Sequence, residues 1–87
     1  MSSYHLKANN EAPLVEPEGK TWTLKEMQDF VGGYARVHAA PNHPGWVLVV
    51  NEDGKLKDLP FNKNATDLYQ YEPIVGDVLL TMAELIE

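Results

Sequence analysis

The stretch Trp46-Val47-Leu48-Val49-Val50, running directly into Asn51-Glu52-Asp53-Gly54, decides the fold class. Five consecutive apolar residues, mostly β-branched or aromatic, lose rotamer freedom in a helix but fit a pleated strand. The polar residues after them are turn chemistry, with Gly54 free to adopt positive φ. Upstream, Tyr34 to Ala39 alternates Tyr, Arg and His with small apolar residues, which predicts another strand. The loop Ala40-Pro41-Asn42-His43-Pro44-Gly45 then lets the two strands pair antiparallel. Downstream, Lys55-Leu56-Lys57-Asp58-Leu59 reads as an exposed strand returning from the turn.

Further out, Thr23-Leu24-Lys25-Glu26 is a capping box: the threonine hydroxyl accepts from the Glu26 N–H, and the glutamate reaches back to the cap. Leu24, Met27, Phe30 and Val31 follow at helical spacing on one face, and Gly32-Gly33 ends the helix. Trp22, just ahead of the cap, is placed to staple onto Met27, and Trp46 is expected in the core. Tyr4-His5-Leu6-Lys7 and Leu14-Val15-Glu16 predict a hairpin around Ala8 to Pro13. Asn62 or Asn64 can cap a second short helix through Ala65, Leu68 and Tyr69, which Glu72-Pro73 breaks. Val78 to Met82 predicts a buried strand, with Ala83 to Glu87 extending it or forming a last helical turn. The expectation is one domain over residues 1–87, of α+β class, with a mostly antiparallel sheet of four to five strands and two helices packed on one face.

Composition narrows the function. With 87 residues, 44% of them hydrophobic, the chain can bury one core. The absence of cysteine excludes disulfides, thiolate metal sites and a cysteine nucleophile. No apolar run has membrane length, and Met1-Ser2-Ser3-Tyr4-His5 lacks the basic and apolar regions of a signal peptide, so a cytoplasmic, non-membrane protein is expected. The net charge is −6, and Asn64 to Glu87 holds Asp67, Glu72, Asp77, Glu84 and Glu87 without a single Lys or Arg. That end repels nucleic acid, so no direct nucleic-acid binding is expected; it is a solvated face or a surface for a basic partner.

No catalytic set emerges. His5, His38 and His43 have no metal-ligand spacing, although the loop between His38 and His43 could bring them together near Glu52 or Asp53. The serines, Ser2 and Ser3, lie at a terminus expected to fray. Gly32-Gly33 follows a helix, whereas a phosphate cradle precedes one. Neither an enzyme, a metal nor a cofactor is expected. A binding set is harder to dismiss: Arg36 and His38 share a strand face, Lys55 and Lys57 share theirs, and Asn51, Asn62 and Asn64 add donors, the last two beside the unpaired N–H groups of a helix start. These seven are the candidate ligand-binding residues, suited to a small anion.

Several of these segments together resemble a known family, the domain of unknown function 3846, found mostly in phages, plasmids and the prokaryotic genomes that carry them. The resemblance rests on Thr23-Leu24 through Phe30-Val31-Gly32-Gly33-Tyr34, on Val49-Val50-Asn51-Glu52-Asp53-Gly54-Lys55-Leu56-Lys57-Asp58-Leu59-Pro60, on Asn62 and Ala65-Thr66, and on Ile74-Val75-Gly76-Asp77-Val78-Leu79. It spans about three quarters of the chain. Two departures stand out: the loop Ala40 to Gly45 is longer and proline-rich, and Asp58 stands where a glycine is frequent. The resemblance implies a small stand-alone protein of mobile-element origin and carries no activity with it. It motivates a non-enzymatic binding protein, a homo-oligomer, that sequesters a nucleotide-like ligand in counter-defence. The alternative is a protein-interaction module or acidic DNA mimic that inhibits a host enzyme, with a host protein as its partner.

Overall fold

The computed structural model describes residues 3–87 and places a five-stranded antiparallel sheet between two helices. The elements run β1 (Ser3–Leu6), β2 (Leu14–Val15), α1 (Leu24–Val31), β3 (Ala35–Ala39), β4 (Trp46–Asn51), α2 (Lys63–Tyr69) and β5 (Val78–Met82), with a 3₁₀ turn at Ala83–Leu85. The fold is α+β, and the spatial order of strands is β2-β1-β5-β4-β3. The expected hairpins form: Ser3 pairs with Val15 and Tyr4 with Leu14, while β3 and β4 pair from Ala35 opposite Asn51 to Ala39 opposite Val47. β5 lies in the centre, with Leu79 opposite His5 on one side and opposite Val49 on the other.

The helices do not share a face, as the sequence reading had them; each covers its own. Strand alternation sends Leu48 and Val50 of β4, Val78 of β5 and Leu6 of β1 to one side, where they pack with Ala65, Leu68 and Tyr69 of α2. Val49 and Leu79 point the other way and pack with Trp22, Met27 and Val31. The cause lies in the strands: Val47, Leu48, Val49 and Val50 are all buried, so both faces of the sheet need a cover.

Thr23 caps α1 as its sequence requires. Its Oγ1 accepts from Glu26 N at 3.1 Å, and Glu26 Oε1 accepts from Thr23 N at 3.0 Å. Glu26 also accepts from Glu18 N, and these backbone hydrogen bonds, that to Thr23 N first, hold its carboxyl below the usual carboxylate range. Gly32 ends the helix at φ 76°. Met27 and Val31 are buried, Phe30 is half-buried, and Leu24 is exposed, so the apolar stripe is narrower than its spacing suggested.

Trp22 is 1% exposed, and its Nε1 donates to Thr81 Oγ1 at 3.1 Å and to Ser3 Oγ at 3.4 Å, while the two hydroxyls bond each other at 2.7 Å. Ser3, expected at a frayed terminus, is therefore fully buried; Ser2 lies outside the described residues. Trp46, expected in the core, is only half-buried at the start of β4. The chain around Trp22 is tied to the other end, with Trp22 N donating to Leu85 O and Glu87 N to Trp22 O.

Lys55 to Leu59 is not a strand. It continues from Asn51 as successive turns, with Lys57 N donating to Asp53 O at 3.0 Å and Leu59 N to Gly54 O at 3.1 Å. β4 already has β3 on one side and β5 on the other, so a returning strand has no partner. Asp58 takes φ 53°, the left-handed region, where glycine would sit without steric cost. Gly54 is needed for closeness instead: a Cβ there would lie 2.9 Å from Val75 Cγ2. Among the described residues, no helix is long and apolar enough to cross a membrane.

Candidate functional site

On the α2 side of the sheet, where β3 forms the edge, Arg36, His38, Lys55 and Glu72 surround a cleft of about 200 Å³. β3 supplies the first two because Arg36 lies opposite Val50 and His38 opposite Leu48, whose side chains share that face. The turn after β4 supplies Lys55, and the connection between α2 and β5 supplies Glu72, whose Oε2 lies 3.4 Å from Lys55 Nζ. His38 packs on Tyr69 of α2, ring centroids 4.7 Å apart, and Tyr69 meets Tyr71 edge-on at 5.3 Å. The back of the cleft is apolar, formed by Val50, Ile74 and Val75.

His38 titrates below its ordinary value. Burial is the main cause, and the positive charge of Arg36 adds to it against the opposing pull of Glu72. The imidazole is therefore neutral at neutral pH and keeps one donor and one acceptor. Arg36 is exposed and, among the described residues, makes no ion pair, so its fork of N–H donors is uncommitted.

Of the seven residues expected to bind, the structure brings Arg36, His38, Asn51 and Lys55 to this cleft. Asn51 is committed: its Nδ2 donates to Val31 O at 2.9 Å and its Oδ1 accepts from Asp53 N at 2.8 Å. Lys57 does not share a face with Lys55. It turns to a separate depression beside Gly33, Tyr34 and Asp53. Asn62 is fully buried, accepting from Ala65 N at 3.1 Å to cap α2 and donating to Leu6 O and Gly76 O at 2.9 Å each. It holds β1, α2 and the approach to β5 together, and it occupies the helix start that was expected to attract an anion. Asn64 is half-buried in the first turn of α2, away from the cleft lining.

Sequence reasoning missed Glu72 and Tyr69 as site residues. Glu72 read only as part of a helix break and Tyr69 only as helix packing, and neither carried a signal of its own. His43 does not join His38: it lies in an apolar notch with Tyr4, Trp46, Leu68 and Leu80. The base-free acidic segment is also locally compensated. Asp67 bonds Lys63 at 2.8 Å, Glu72 pairs with Lys55, and Asp77 accepts from Ala8 N at 3.0 Å beside His5.

The family model described as domain of unknown function (DUF3846) matches residues 4–85. The chain belongs to this family. No curated protein and no solved structure matches it. The DUF3846 match runs through all five strands and both helices, so every side chain of the cleft lies within it.

Proposed function

We propose that this DUF3846 protein is a non-enzymatic binding protein of mobile-element type whose cleft takes a small phosphate-bearing anion, a nucleotide-like ligand in a counter-defence setting. The single observation that carries the reading is the unpaired Arg36 guanidinium beside His38 and Lys55 in one cleft. A planar guanidinium recognises phosphate oxygens bidentately, and the half-buried imidazole adds a neutral donor. Lys55, held by Glu72, can turn to the ligand in exchange for an exposed ion pair worth little. Tyr71, exposed and edge-on to the Tyr69 ring that packs on His38, offers a face on which a base stacks.

The non-enzymatic part is supported by the hydroxyls: among the described residues, Ser3, Thr23, Thr66 and Thr81 bond each other, Trp22 or the backbone, and neither these nor Thr21 bonds a histidine. The acidic DNA mimic ranks behind, because three of the five acids it would display are engaged by the chain itself. Isothermal titration with inorganic phosphate and a panel of mono- and cyclic nucleotides tests the proposal. At least one phosphate compound should bind the wild type and lose tenfold or more in affinity, about 1.4 kcal/mol, in Arg36→Ala. Equal binding by wild type and variant, or none across the panel, overturns it.

A further inference from the structure

The two edges of the sheet are unequal. β2 is two residues long and lies between Pro13 and Pro17, which supply no backbone donor, so that edge is closed to further pairing. β3, at the other end of the sheet, is five residues long and contains neither proline nor lysine.

Its hydrogen-bonding phase is fixed by the pairs that flank it. Glu52 N donates to Tyr34 O at 2.8 Å and Ala40 N to Trp46 O at 3.0 Å. Residues 34, 36, 38 and 40 therefore face β4, and the N–H and C=O groups of Ala35, Val37 and Ala39 point away from the sheet. Among the described residues no strand pairs with that side. Val37, at its middle, is 47% exposed, and Tyr34, just before the strand, is 68% exposed.

We propose that β3 pairs antiparallel with β3 of a second copy of this chain, with the two-fold axis at Val37, forming a continuous ten-stranded sheet. The occupant is a second copy because this edge is self-complementary. Centring on Val37 sets Val37 against the partner's Val37 and Ala35 against the partner's Ala39, and every outward N–H meets an outward C=O. The side chains at those positions, Ala35, Val37 and Ala39, are small. The strand carries one cation and no acid, and the same register puts Arg36 opposite the partner's His38, a side chain that burial keeps neutral, which avoids a like-charge pair. Both clefts then open on the same sheet face, one on each side of the axis, and a ligand at one would meet the Arg36 of either copy. The pairing itself does not rest on the ligand reading.

The chain has no cysteine, so Val37→Cys installs a single thiol where the two strands meet. Opposed residues of such a pair sit about 5.5 Å apart at Cα, within disulfide reach. Under a glutathione redox buffer, Val37→Cys should convert to a covalent dimer of twice 9.8 kDa. Leu14→Cys, on the closed edge and 63% exposed, should stay largely monomeric. Ala35→Cys alone should also stay monomeric, whereas Ala35→Cys with Ala39→Cys should cross-link, which reads the register. In sedimentation equilibrium the untreated wild type should show a concentration-dependent dimer. Val37→Pro removes only an outward N–H and should abolish it while keeping the wild-type circular dichroism; if that variant misfolds, Val37→Lys serves instead. A wild type that stays monomeric to millimolar concentration, or Val37→Cys linking no faster than Leu14→Cys, overturns the proposal.

Discussion

The two faces of the sheet are built from the same strands but finished differently. On the α1 side, an eight-residue helix, Trp22 and the 3₁₀ turn seal the layer, and the polar atoms inside it, Ser3, Thr81 and the indole N–H, bond one another. On the α2 side the helix is seven residues long and is followed by an irregular connection, so the end of the sheet toward β3 is left with a cleft rather than a core. The lesson is that chemistry collects where cover runs short. Arg36 and His38 face that gap, while Val37 and Ala39 between and beyond them turn to the other side.

The comparison breaks first if the sealed face is not the main source of stability. Trp22→Ala removes the largest fully buried side chain and should cost about 3–5 kcal/mol, read as the loss of urea midpoint. That is a large share of the roughly 4–13 kcal/mol expected for a chain this size. Asn62→Ala, on the open side, should come next at about 2–4 kcal/mol, since it removes a helix cap and two buried hydrogen bonds, to Leu6 O and Gly76 O. A smaller loss for Trp22→Ala than for Asn62→Ala would reverse the ranking of the two faces.

His38 sharpens the contrast through pH. Its folded value is depressed, so the unfolded chain takes the proton first; the stability it contributes is present above about pH 6.5 and is lost as pH falls through the lower folded value. Denaturation curves between neutral and mildly acid pH should therefore fall less steeply for His38→Gln than for the wild type. Arg36→Ala should change stability by no more than about 0.5 kcal/mol, as an exposed group without a partner. Lys63→Ala breaks an exposed ion pair in α2 and should cost a similarly small amount, about 0.3–0.5 kcal/mol by the same measurement.

Most of the fold was legible where signals were local. The capping box, the helix-ending glycine, the two hairpins and the buried β5 follow from neighbours within a few residues. The arrangement of the helices did not, although Val47 to Val50 held the clue: four consecutive buried residues in a strand mean two covered faces. The returning strand failed because Leu56 and Leu59 are three apart, the spacing of a turn, and because β4 has a partner from the far end of the chain. The site was half legible for the same reason. Arg36 and His38 share a face by alternation alone, but what Asn51 and Asn62 bond, that Tyr69 meets β3, and that Glu72 meets Lys55, depends on contacts between distant segments.

The central place of β5 also governs how the molecule can be assembled during synthesis. The hairpin of β1 and β2 and the hairpin of β3 and β4 leave the ribosome early, yet neither pairs with the other. Both must wait, with one edge exposed, for a strand made near the end of the described chain to slot between them. The barrier to folding should therefore lie in closing that long loop, and stalled translation before Val78 would release two separate, association-prone ribbons.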